Sequence, residues 1–204
     1  MQKLAAYRLA FFYSISILAI MQPELKIFLD LDNTLVSTCY YHKNKVPRNK
    51  IKIPLYNDWL GKEETYYTQL RPGAKEFIEY CRSKAQTFIL TAAATDYAQK
   101  HNEILGLGFT DDSIIGRELY CYYKSGMLCD SVIPIRANIH PNSILVDNED
   151  INAHYGIENL RAKMAFLGIE KDRLVKSREY CGGKQPPDFS KELKQLDDIL
   201  VALS

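Results

Sequence analysis

The 204-residue sequence predicts an α/β fold, a mostly parallel sheet with helices on both faces and a small β insertion. Two observations carry this expectation. Three short β-rich runs, KIFLD (26–30), TFILT (87–91) and SILVD (143–147), are separated by segments whose apolar residues recur at helical spacing. Each run also closes on a polar side chain, Asp30, Thr91 or Asp147. Ligands bind beyond the carboxyl ends of the strands in such sheets, so the three endings should meet at one edge.

Residues 1–20 stand apart from this pattern. LAFFYSISILAIM (9–21) is apolar and follows Lys3 and Arg8, in the manner of a signal peptide's basic and apolar regions. It is short for a transmembrane helix, which needs about 20 residues, and no A-x-A-like cleavage site follows. The expectation is an apolar N-terminal extension, 1–20, upstream of a natural start at Met21, with an export or membrane-associating segment as the alternative. Residues 21–204 are then one domain.

Within that domain the first strand ends at Asp30, and residues 38–70 form the insertion. KIKIPLYNDWLGKEETYYTQL (50–70) alternates apolar and polar residues on either side of a turn at Asn57 to Lys62, which predicts two strands. After Pro72-Gly73, the positions Ala74, Phe77, Ile78 and Cys81 mark a helix. A second helix follows Thr95, with Tyr97, Ala98, His101, Ile104 and Leu105 on one face. RELYCYYKSGML (117–128) reads as a strand and turn, and NIHPNSILVDNED (138–150) leads through a proline turn into the last core strand. DFSKELKQLDDILVAL (188–203) is a helix that Asp188 or Ser190 would cap, with Leu193, Leu196, Leu200 and Leu203 as its buried stripe.

Composition narrows the function classes. At 47% hydrophobic and 25% charged the chain is an ordinary globular one, and a net charge of +1 gives no general electrostatic case for nucleic acid or an anionic membrane. The five cysteines, Cys39, Cys81, Cys121, Cys129 and Cys181, form no CxxC pair. An odd number of scattered thiols points to a reducing compartment, cytoplasmic or, in a eukaryote, nuclear, and not to a disulfide framework or a zinc site. His140 and His154 lack metal-ligand spacing.

Two carboxylates one residue apart, Asp30 and Asp32, can divide labour. One attacks as a nucleophile while its neighbour holds or delivers a proton. With Thr34 next and Asp147-Asn148 across the sheet, the set offers the oxygen ligands that Mg²⁺ favours. A hydroxyl at Thr91 would hydrogen-bond a transferring phosphoryl group. A lone D-x-D-x-T is also what a strand end capped by turn-forming acids looks like; the two further polar strand ends are what favour chemistry.

DLDNTLV (30–36) resembles the first motif, DxDx[TV], of the haloacid dehalogenase superfamily. It is closer still to the branch of RNA polymerase II C-terminal-domain phosphatases and their small relatives, whose DLDETLV differs only at Asn33. RPGAKEFIEYC (71–81) resembles that branch's RPG helix start, FILTAAATDYA (88–98) its second motif, and ILVDN (144–148) its fourth. The insertion sits where the branch carries a small β-sheet. The resemblance implies a fold of the haloacid dehalogenase type, a Rossmann-like sheet, and a Mg²⁺-dependent phosphatase acting on phosphoserine or phosphothreonine in a protein or peptide. By the same resemblance Asp30 is the nucleophile, Asp32 the acid and base, and Thr91 a ligand of the phosphoryl oxygens. Asp30, the Asp32 carbonyl and Asn148, with Asp147 beside them, would hold Mg²⁺.

One motif departs. The branch places a lysine in its third motif, near where this chain has Cys129, Asp130 and Ser131, none of them cationic. Lys124 is the expected substitute, ahead of Arg136. A weakly catalytic phosphopeptide-binding relative is the alternative should neither reach, and a phosphatase of a small metabolite or a nucleic-acid 3′ end is a second. Ile53, Leu55, Tyr66, Tyr67 and Tyr97 are candidates for a wall beside the phosphoresidue, although Ile53 and Leu55 fit ordinary packing of the insertion onto the core better. The basic run HKNKVPRNKIK (42–52) would attract an acidic substrate or simply be a solvated loop.

Overall fold

The computed structural model describes residues 24–40, 50–57, 62–123, 132–134, 142–149, 157–181 and 188–203. Residues 1–20, most of the basic run, Lys124, Cys129, Asp130, Ser131, Arg136, His140 and His154 lie outside them. Along the chain run β1 (Lys26–Leu29), β2 (Val36–Tyr40), β3 (Ile51–Asn57), β4 (Lys62–Leu70), α1 (Ala74–Lys84), β5 (Gln86–Leu90) and α2 (Thr95–Leu105). There follow β6 (Ile114–Ile115), β7 (Cys121–Tyr123), β8 (Val132–Pro134), β9 (Ser143–Asp147), α3 (Ile157–Leu167), β10 (Leu174–Lys176) and α4 (Ser190–Leu203).

The central sheet has five parallel strands in the order β10-β9-β1-β5-β6. β1 lies in the middle, with Leu29 level with Ile89 on one side and Val146 on the other. A central strand of a parallel sheet is covered on both faces, which is why it reads as a continuous apolar run. Ile27 and Leu29 belong to a core with Ala74, Phe77 and Ile78 of α1, Ala98 of α2 and Leu196 of α4. Phe28 belongs to the opposite core, stacked on Phe88 at 4.9 Å and joined there by Leu160 and Leu167 of α3. Helices therefore cover both faces, as the sequence predicts. Among the described residues no helix is long and apolar enough to cross a membrane.

The insertion is an antiparallel sheet in the order β2-β4-β3, with Val36 opposite Leu70 and Ile53 opposite Tyr66. Ile53 is fully buried, the packing role its sequence allowed. The two strands of the expected hairpin end at Asn57 and begin again at Lys62.

A buried clamp joins the last helix to the turn after β1. Arg71, stacked over Phe189 at 3.7 Å, pairs with Glu192 of α4 at 2.7 Å, both side chains wholly buried. The same guanidinium donates to the Thr34 carbonyl at 3.2 Å, and the Tyr180 amide donates to the Asn33 carbonyl at 2.7 Å. The turn is thus held by residues far along the chain.

Candidate active site

Asp30 stands one residue past β1, and its amide still bonds the Val146 carbonyl at 2.9 Å. The ladder of the sheet therefore fixes the backbone that carries the carboxylate. The chain then turns sharply, with the amides of Leu35 and Val36 returning to the Leu31 carbonyl at 2.9 and 3.0 Å. Asn33 takes a φ of 59°, the left-handed region that asparagine tolerates better than most residues.

Asp30 is only 4% exposed and is met by a lysine. Lys163 of α3, 1% exposed, lies 2.8 Å from Asp30 Oδ1 and 2.7 Å from Asp147 Oδ2. Burial works against its charge, but Asp147 and Asp30 outweigh it and hold the ammonium well above the ordinary lysine value. Burial pushes the Asp30 carboxyl up to about 8 against the opposing pull of Lys163, with Asp147 and Asp32 adding to the rise. Asp147 Oδ1 accepts the Glu149 amide at 2.8 Å. The Glu149 carboxyl is itself raised by burial to about 7, opposed by Lys163 and reinforced by Asp147.

A second group of oxygens gathers on the other side of Asp30. The Thr34 hydroxyl lies 3.0 Å from Asp30 Oδ2 and accepts the Asn148 amide at 3.1 Å. Having one proton, that hydroxyl donates to Asp30 and cannot also donate to Asn148. The Asn148 side chain is accordingly satisfied with its nitrogen turned inward, 3.0 Å from the Asp32 carbonyl and 3.1 Å from both Asp30 Oδ2 and Thr34 Oγ1, three acceptors that its two protons can serve. Three oxygens thus converge where positive charge is wanted. With the amide turned over, its own oxygen joins the Asp32 carbonyl and Asp30 Oδ2, hard oxygen donors of the kind Mg²⁺ prefers. The residues fit the ion. Among the described residues no three histidine, cysteine or acidic side chains cluster as a metal site; this donor set is of another kind, one carboxylate, one backbone carbonyl and one amide.

Asp32 is addressed from α2, where the Tyr97 hydroxyl donates to its Oδ1 at 2.8 Å. Burial raises the Asp32 carboxyl, and the Tyr97 hydrogen bond opposes the rise. Tyr66 of β4 meets the Tyr97 ring edge-on at 5.7 Å between centroids. Thr91, 1% exposed, follows β5, next to β1 in the sheet, and its hydroxyl accepts the Ala93 amide at 3.1 Å.

The structure therefore gathers Asp30, Asp32, Thr34, Asn148, Asp147, Tyr97 and Tyr66, with Thr91 on the neighbouring strand end. Asp147 is committed to Lys163 and the Glu149 amide, and of the two residues expected near a metal it is Asn148 that faces Asp30 and the Asp32 carbonyl. Lys124 lies outside the described residues. Among the described residues the cation on Asp30 is Lys163, which follows the fourth motif in the chain where the expected lysine precedes it. The available signal was a lone lysine inside the apolar run of α3, among Leu160, Ala162, Met164, Phe166 and Leu167, all buried.

This is the arrangement of a phosphatase of the haloacid dehalogenase class. The model of the NLI interacting factor-like phosphatase family matches residues 25–200, and the chain belongs to that family. Among solved structures the chain is similar to a variant of the fission yeast RNA polymerase II CTD phosphatase Fcp1 bound to beryllium fluoride. The two share 16% identity at a TM-score of 0.50, over 93% of this chain and 54% of that one. Another structure of Fcp1, described as an essential RNA polymerase II CTD phosphatase, shares 17% identity at a TM-score of 0.49, over 88% of this chain and 49% of that one. The chain thus spans about half the length of these structures. At 16% identity the likeness to the beryllium fluoride complex is one of fold. Comparison with curated protein sequences finds none that matches.

Proposed function

We propose that the chain hydrolyses phosphoserine or phosphothreonine in a protein through an aspartyl-phosphate on Asp30, with Mg²⁺ as cofactor. The observation that carries this reading is the buried Asp30 carboxylate, held between Lys163 on one oxygen and the Thr34–Asn148 group on the other. Both contacts present positive charge or hydrogen bonds where a phosphoryl group would arrive. An Asp30 oxygen attacks phosphorus in line as the bond to the serine or threonine oxygen breaks. Asp32 gives that oxygen its proton. Water then attacks the same phosphorus, Asp32 takes the proton back, and phosphate leaves with the Asp30 carboxylate restored. Lys163 and the Thr91 hydroxyl stabilise the charge on the phosphoryl oxygens. Mg²⁺ held by Asp30, the Asp32 carbonyl and Asn148 would keep the nucleophile ionised and offset its repulsion from the incoming phosphate.

The β insertion beside the site favours a polymer substrate over a sealed metabolite, and a lysine on Asp30 favours turnover over passive binding. The test is hydrolysis of p-nitrophenyl phosphate with Mg²⁺, abolished by Asp30→Asn, followed by phosphopeptides set against sugar phosphates and nucleotides. Preference for the small phosphates would overturn the protein-substrate assignment. No turnover with any divalent metal would overturn the enzyme itself.

A further inference from the structure

Asp32 follows a buried strand by three residues, and its side chain has two rotatable bonds with which to leave the site. What fixes it is a chain of contacts running from the insertion. Tyr97 donates its hydroxyl to Asp32 Oδ1 at 2.8 Å. The phenol is raised above its ordinary value by burial and by Asp32, so it stays a donor. Behind it, the His101 ring lies 4.1 Å from the Tyr97 ring, tilted by 33°. His101 is completely buried and plays no part in the mechanism above.

The direction of its hydrogen bonds follows from its partners. His101 Nδ1 lies 2.8 Å from the Tyr97 carbonyl, which can only accept, so Nδ1 carries the proton. Burial lowers the imidazole's proton affinity and keeps it neutral. Nε2 then accepts from Thr68 of β4 at 2.9 Å, with Thr38 of β2 at 3.4 Å and the two hydroxyls 3.1 Å apart. Two strands of the insertion thus pin a histidine, the histidine packs a tyrosine, and the tyrosine holds one oxygen of Asp32.

We propose that Tyr97, buttressed by His101 and the insertion, is a positioning residue that locks Asp32 Oδ1 and so aims the carboxyl that hands the proton to the departing alcohol. This rests on the phosphatase reading and adds a role that reading does not need. Its signature is dependence on the leaving group. A serine alkoxide must be protonated as the P–O bond breaks, whereas p-nitrophenolate leaves without a proton. Misplacing Asp32 therefore costs the alkyl ester more than the aryl ester.

The experiment compares kcat/KM, which reports the first phosphoryl transfer, for a phosphoserine peptide and for p-nitrophenyl phosphate with Mg²⁺. Tyr97→Phe keeps the ring and removes the hydroxyl. Its loss on the phosphoserine peptide should reach about 10²-fold, the scale of general acid catalysis, and exceed its loss on the aryl ester by about tenfold or more. His101→Leu, which keeps the Tyr97 hydroxyl but loosens its support, should show the same selectivity with a smaller loss. Equal losses on the two esters, or none, in well-folded variants would overturn the role of Tyr97. Wild-type protein inactive on both would instead overturn the phosphatase reading, so the two failures are distinguishable.

Discussion

Replacing Lys163 by methionine tests the site at its most loaded point. Its ammonium contacts two carboxylates at 2.8 and 2.7 Å. At an effective dielectric near 20 each contact represents about 6 kcal/mol of attraction, most of it offset by the desolvation of three buried groups. Removal leaves Asp30 and Asp147 buried without their partner, for which about 3–5 kcal/mol of stability is expected to be lost. In a chain of this size that lowers Tm by roughly 6–20 °C. Loss of one positive group at the transferring phosphoryl should lower kcat by about 10²–10³-fold. The assay is p-nitrophenyl phosphate hydrolysis with Mg²⁺, well below the variant's own Tm, with Lys163→Arg as the control that keeps the charge. A Lys163→Met protein that melts early yet keeps kcat within about threefold of wild type would refute a catalytic role and leave only a structural one. A protein unchanged in both would refute the ion pairs themselves.

Three further outcomes follow from named contacts. Mg²⁺ at about a hundred times its Kd should stabilise the protein by about 2.7 kcal/mol in thermal melts, and Asn148→Ala should weaken that response without needing turnover to show it. Glu192 is raised by burial but lowered more by the Arg178 amide and the Arg71 guanidinium, so it ionises below its ordinary 4.5. Its stabilisation is therefore present above 4.5 and lost as pH falls through the lower folded value; Glu192→Gln should flatten the acid limb of a Tm–pH curve and cost about 1–3 kcal/mol at neutral pH. Burial pushes the Cys81 thiol to about 12, whereas Cys181 is exposed. Iodoacetamide on the native protein should label Cys181 and leave Cys81 unmodified, as read by peptide mass spectrometry.

The edge that gathers Asp30, Thr91 and Asp147 was legible because each of its strands is a buried apolar run ending on a polar residue. β1, β5 and β9 announce themselves this way, and α1, α2 and the insertion hairpin by clean periodicity. The C-terminal helix was legible to its cap, where the Asp188 carboxylate takes the Ser190 amide at 3.3 Å and hydroxyl at 2.7 Å. α3 was not. Leu160, Ala162, Lys163, Met164, Phe166 and Leu167 are all buried, and against them Glu158 and Arg161 are exposed, a polar stripe too thin to mark its period. β6 and β10, of two and three residues, are too short to carry an alternation. His101 was legible as a member of an apolar face, but its partners Thr38 and Thr68 come from strands that only the fold brings beside it.

The clamp from Arg71, Tyr180 and Glu192 onto Asn33 and Thr34 has a consequence for the timing of synthesis. Asp30 and the turn after it are made early, but the groups that hold the turn come up to 158 residues later in the chain. At about 5–20 residues per second a ribosome needs roughly 8–30 s to cover that distance. Throughout that interval the nascent chain carries Asp30 without the grip of Glu192 on Arg71, and without Lys163 for most of it. A protein made this way should acquire activity late and abruptly, and stalled chains that end before α3 should carry none.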